Sequence, residues 1–142
     1  MHANDTNNTN NSFVLFVSLV QFVYLYHSFM DYHIDAKNKI LGRLASEIAT
    51  ILQGKKSPRY ERRLVSGDKV YVKNVGGLKI TGKKFKEKIY YRHTGYMGHL
   101  KEQTFEQAFT KDSRKVLREA VRRMLPKNFL NQKRLKNLIF VE

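Results

Sequence analysis

What most limits the folds open to this chain is one apolar stripe. Leu41, Leu44, Ala45, Ile48, Ala49 and Leu52 recur at i, i+3, i+4, i+7, i+8 and i+11, the spacing of a helix with a single buried side. Gly54 stands where such a helix stops. Ahead of it, Tyr32-His33-Ile34-Asp35 reads as a short strand and Ala36 to Lys39 as a turn, with Asn38 placed to cap the helix. Behind it, Lys69 to Asn74 alternates as a second strand. Gly76-Gly77 makes a turn, and Leu78 to Thr81 is expected as another short strand. Strand, helix, strand in this order predicts an α/β domain.

The C-terminal third is predicted to be helical until its last residues. Thr104 and Gln107 have the types and spacing of a capping box, opening a short helix through Phe109. A second helix begins near Ser113, with Val116, Leu117, Ala120, Val121 and Met124 as its buried side. Its other side carries Arg114, Lys115, Arg118, Arg122 and Arg123, with Glu119 the lone acid among them. A charged outer face is normally only solvated, but this excess of cations favours phosphate contact. Pro126 ends that helix, and Lys127-Asn128 restarts one bearing Lys133, Arg134 and Lys136. Leu138 to Val141 reads as a last strand.

Between these halves lies a stretch that belongs to neither core nor ordinary surface. From Gly82 to Lys101, cations alternate with tyrosines and are broken by three glycines, Gly82, Gly95 and Gly98. Lysine and arginine neutralise phosphates whatever the base sequence. Tyrosine rings stack on unpaired bases, and glycines admit a partner close to the backbone. The bland alternative is a basic hairpin with no partner. The whole chain supports the first reading: 142 residues carry a net charge of +15, from 27 Lys and Arg against 12 Asp and Glu. That is more than solubility asks for, so an anionic partner is expected, either nucleic acid or an acidic membrane surface. The length fits one domain with a modest core. Lys55 to Arg63 forms an irregular basic loop around Pro58. Solvation alone would explain it unless it lies beside the Lys83 to Arg92 stretch.

Residues 1–29 differ in character from the rest. A polar run rich in asparagine and threonine leads into a nearly continuous apolar run from Phe13 to Phe29. A signal peptide or membrane anchor is opposed by three features: no preceding Lys or Arg, no small-residue cleavage site, and Ser18, Gln21 and His27 within a run just short of a comfortable span. The favoured reading makes Met30 the functional start and 1–29 an N-terminal extension outside the fold, leaving 30–142 as a single domain; an appended anchor is the alternative.

Catalytic patterns are weak. Cysteine is absent, which removes disulfides, thiolate metal sites and a cysteine nucleophile. His33, His93 and His99 have no carboxylate or thiol at metal-ligand spacing. Asn74-Val75-Gly76-Gly77 after a strand invites a nucleotide-binding reading, but the full glycine fingerprint and its downstream acid are missing. Acids are scarce where the cations concentrate, which disfavours a two-metal nuclease. A non-enzyme without metal, cofactor or small-molecule substrate is expected.

Six motifs in order carry a resemblance: Ile34-Asp35-Ala36, Leu41-Gly42-Arg43-Leu44-Ala45, Gly67-Asp68, Thr81-Gly82-Lys83-Lys84, Tyr90-Tyr91-Arg92-His93-Thr94-Gly95-Tyr96 and Met124-Leu125-Pro126-Lys127-Asn128. Together they resemble the universal large-subunit ribosomal protein thirteen family in its bacterial or organellar form, over Asp31 to Glu142. The resemblance implies a three-layer α/β/α fold around a small, mainly parallel sheet, with a basic extended stretch and C-terminal helices. It also implies a structural role in the large ribosomal subunit, early in its assembly, with ribosomal RNA and neighbouring ribosomal proteins as partners. Localisation on a cytoplasmic ribosome follows, an organellar one being the variant. Gly82, Lys83, Lys84, Tyr90, Tyr91, Arg92, His93, Gly95 and Tyr96 keep the family pattern. Met97 replaces the usual proline, His99 the usual glycine, and residues 1–29 are additional.

The expected RNA-binding set follows. Lys83, Lys84, Lys86, Lys88 and Arg92 neutralise backbone phosphates, Tyr90, Tyr91 and Tyr96 pack on sugars or exposed bases, and His93 and Gly95 line the same stretch. Lys55, Lys56, Arg59 and Tyr60 of the basic loop, with Arg122, Arg123, Lys127, Lys133 and Arg134, extend the footprint. Two rivals are a regulator acting off the ribosome on a messenger RNA, and a basic protein attached to a membrane through Phe13–Phe29.

Overall fold

Alternating burial along Asp31–Asp35 and Lys69–Lys73 marks the core face of a small parallel sheet, in the mixed α/β arrangement expected. The computed structural model describes residues 30–58 and 60–141. The readings of 1–29, including the anchor at Phe13–Phe29, and the role of Arg59 lie outside the described residues. Strand β1 (Asp31–Asp35) pairs in parallel with β2 (Lys69–Lys73), Ile34 opposite Val72. β2 pairs in parallel with β5 (Leu138–Phe140), Val70 opposite Leu138. The sheet order is β1-β2-β5. Register places Tyr32, Ile34, Val70, Val72, Leu138 and Phe140 on one face, where Val70 and Val72 are fully buried. His33, Tyr71 and Ile139 lie on the other, and the His33 and Tyr71 rings stack with centroids 4.9 Å apart.

Helix α1 (Leu41–Leu52) lays its stripe on the core face. Leu44, Ile48, Ile51 and Leu52 are buried to 1% exposure or less, each contributing roughly 1.5–3 kcal/mol of apolar transfer. Leu41, at the stripe's start, is only partly buried. The helix ends at Leu52, and Gly54 follows at φ +79°, where a β-carbon would meet the Cβ of Ser66 at 2.7 Å. Glycine is therefore demanded there by both backbone and space.

Asn38 does not cap α1. It takes the left-handed conformation at φ 61°, and its amide donates to the Gly77 carbonyl at 2.9 Å. The helix starts after Ile40, which forms an isolated parallel bridge with Lys79. Leu41 N–H donates to the Lys79 carbonyl and Lys79 N–H to that of Lys39. The predicted strand over Leu78 to Thr81 is thus reduced to one bridge, and its backbone takes over the capping task. Ahead of it, Val75–Gly77 forms one 3₁₀ turn.

Beyond β2 come α2 (Lys84–Glu87), the antiparallel pair β3 (Ile89–His93) and β4 (Leu100–Thr104), α3 (Phe105–Lys111), α4 (Ser113–Met124) and α5 (Leu130–Lys136). The capping box forms as expected: Thr104 Oγ1 accepts from Gln107 N–H and the Gln107 side chain accepts from Thr104 N–H. Helix α4 is capped by Asp112, which accepts from Lys115 N–H at 2.9 Å. It buries Leu117 and Val121 in the core with α1, and Val116 outside that cluster. Met124, expected on the buried side, is 42% exposed. Leu125, extended ahead of Pro126, turns into the core in its place at 3%.

Candidate nucleic-acid interface

A two-stranded ribbon needs an anchor, because such pairs are marginal alone in water. Here the anchor is aromatic. Phe105, 1% exposed, stacks on Tyr90 at 6.0 Å and on Phe109 at 5.9 Å, and Phe85 meets both Phe105 and Phe109 edge-on. The Lys88 ammonium lies 5.2 Å over the Tyr90 ring and 5.8 Å over Phe105, while the Arg123 guanidinium is 5.8 Å from Tyr90. Burial pushes the Tyr90 phenol above its usual pKa, against the opposing pull of Arg123. Tyr90, expected to pack on sugars or bases, is thus occupied as the root of the ribbon.

The register divides the ribbon by chemistry. Tyr90 faces Gln103 and Arg92 faces Lys101, so one face is polar and cationic. Ile89 pairs with Thr104, Tyr91 with Glu102 and His93 with Leu100, which puts Tyr91 and His93 on the opposite face, away from Arg92. Like charges directly across an antiparallel pair repel. Arg92 and Lys101 therefore set two exposed cations opposite each other, an arrangement that an anion would favour. Lys101 closed the basic stretch in the sequence but was not among the named RNA-binding residues, because its position opposite Arg92 depends on a hairpin register that spacing alone does not give.

The turn is built by the expected glycines. Gly95 and Gly98 take φ 96° and 74°, and the Gly95 amide donates to His93 Nδ1 at 3.0 Å. Thr94 closes the turn by donating to the His99 carbonyl through both its amide and its hydroxyl. Tyr96 and Met97 stand out at its tip, 76% and 95% exposed. Gly82, at φ 69°, turns the chain into α2, which presents Lys84 and Lys86 to solvent next to exposed Lys83.

On α4, Glu119 gathers two of the expected phosphate-binding arginines. Arg122 donates to its carboxylate at 2.8 and 2.6 Å and Arg123 at 3.2 Å. The Arg122 hydrogen bond first, then that of Arg123, holds the Glu119 carboxyl below its usual pKa, and Arg122 is raised in return. Arg122, Arg123, Lys127 and Lys133 are exposed, as expected. A groove between α4 and β5 continues this surface, lined by Lys115, Arg118, Leu138 and Phe140, with Arg118 5.3 Å over the Phe140 ring.

Arg134 departs from the expected footprint. It is 1% exposed, and its guanidinium donates at 3.2 Å to the carbonyls of Arg62 and Leu64. Its helical position turns it inward under the basic loop, so it ties that loop to α5 instead of facing a phosphate. Lys55, Lys56 and Tyr60 of the loop are exposed, and the Lys56 ammonium lies 5.3 Å over Tyr32. The loop enters β2 at one end of the sheet, and the chain leaves β2 towards the ribbon at the other. The two basic regions thus begin at opposite ends of one strand.

The family described as Ribosomal protein L13 matches residues 30–142. The protein called large ribosomal subunit protein uL13 in Desulfotalea psychrophila is 46% identical over 107 residues, 75% of each chain. Its counterpart in Geobacter sulfurreducens is 47% identical over 107 residues, again 75% of each. That of Lawsonia intracellularis is 49% identical over 105 residues, covering 74% of this chain and 73% of its own.

Proposed function

The chain belongs to the Ribosomal protein L13 family, and on that premise we propose that it is a structural constituent of the large ribosomal subunit that screens phosphate repulsion within ribosomal RNA. The observation that carries the mechanism is the Arg92–Lys101 pair, two cations held side by side on a protruding ribbon. Around it, Lys83, Lys84, Lys86 and Lys88 supply further charge at the ribbon's root, and Arg122, Arg123, Lys127 and Lys133 extend the surface over the C-terminal helices. Lys55 and Lys56 form a second patch. The role is architectural, not catalytic, and belongs to an early stage of subunit assembly, when RNA repulsion is least screened. No helix among the described residues is long and apolar enough to cross a membrane.

Co-sedimentation in high salt tests the reading. The chain should remain with purified large subunits, and its absence from them would defeat the proposal. In binding to large-subunit RNA fragments, Arg92→Gln with Lys101→Gln should weaken affinity and flatten the log-log salt slope by about 1.5 units, roughly 0.7–0.9 for each phosphate no longer neutralised.

A further inference from the structure

The ribbon's other face has the wrong charge for RNA. Its six strand positions, Ile89, Tyr91, His93, Leu100, Glu102 and Thr104, contain no Lys or Arg, and the Glu102 carboxylate is their only formal charge at neutral pH. Yet half of the face is open and apolar: Ile89 is 40% exposed, Leu100 52% and Tyr91 60%, beside His93, Glu102 and Thr104, with Met97 at 95% on the tip beyond them. Isolated apolar residues at a surface need no explanation, but here two aliphatic side chains and a tyrosine share one side of a ribbon two strands wide. Tyrosine and methionine are enriched where proteins meet, and a ribbon with two unpaired edges gains stability once one face is covered.

We propose that this face docks on a neighbouring protein of the large subunit, against an apolar patch that offers a lysine or arginine to Glu102. The ribbon then works as a blade between two unlike partners. Arg92 and Lys101 take the RNA on one side, and Ile89, Tyr91 and Leu100 take protein on the other. Tyr91 and His93 thereby leave the RNA footprint in which the sequence had placed them. The inference rests on the ribosomal role proposed above and adds the partner class for one defined surface.

Photo-cross-linking within purified large subunits tests it. The full chain carries p-benzoylphenylalanine either at position 100 or at position 92. The expected adduct from position 100 survives ribonuclease and joins a second protein, while that from position 92 is RNA. An RNA adduct at position 100, or none there while position 92 reacts, overturns the proposal. If the chain is missing from the subunits altogether, the ribosomal role falls and this inference with it. Independently, Glu102→Lys should lower occupancy in reconstituted subunits by about tenfold while affinity for naked RNA stays level or rises. Unchanged occupancy would also overturn the docking surface.

Discussion

Arg134 shows how far one side chain can depart from its neighbours. Lys133 and Lys136 on the same short helix are exposed, whereas Arg134 is buried and donates to two backbone carbonyls of the 62–64 segment. Replacing it by alanine removes two charge-assisted hydrogen bonds and leaves a void, so Arg134→Ala should cost about 3 kcal/mol of stability, read from the denaturant midpoint. The salt slope of RNA binding by the folded fraction should not change, whereas Lys133→Ala should do the reverse. Glu119 gives a pH signature of its own. Its carboxyl is held below the ordinary value of 4.5 by Arg122 and Arg123. The folded state therefore gains from this ionised acid above that value and loses the gain as pH falls through the lower folded one. Melting temperatures of the wild type and Glu119→Gln should converge as the pH falls below 4.5, wild type being the more stable above it. Curves that stay parallel would deny Glu119 this role.

The junction between β4 and α3 couples the ribbon to the body through two adjacent residues. Thr104 ends the strand and caps the helix, and Phe105 fills the aromatic root. Thr104→Ala should cost about 1 kcal/mol, the usual effect of removing an N-cap. Phe105→Ala should cost about 3–5 kcal/mol and release the ribbon, seen as faster amide exchange over residues 89–104. The capping box was legible in the sequence because its bonds close within four residues. So was the α1 stripe, whose burial follows from spacing alone. What escaped was set at long range. Asn38 lost the cap of α1 to Lys79, about 40 positions downstream, and Arg134 is turned inward by carbonyls 72 and 70 positions upstream. The basic, tyrosine-rich character of the 82–101 stretch was readable too, but its division into two faces was not. That division depends on pairing Arg92 with Lys101 in place of a neighbour one residue away, and a slip of one would exchange the faces.

Taken whole, the molecule carries its two basic regions on either side of β2 in chain order. Lys55 and Lys56 lie on the loop that leads into the strand, and Lys83 and Lys84 lie on the segment that leads away from it. If both regions grip one folded RNA without sharing a phosphate, loss of charge at one is not made good by the other and the two effects add. Lys55→Gln with Lys56→Gln and Lys83→Gln with Lys84→Gln should then each flatten the log-log salt slope by about 1.5 units. The four-fold variant should flatten it by the sum, about 3 units, and remain folded, because all four side chains are exposed and the Lys56 contact over the Tyr32 ring is a surface one. A loop bathed only in solvent would give no effect from the first pair and no increment in the combination, so filter binding across a salt series separates a two-ended clamp from a ribbon working alone.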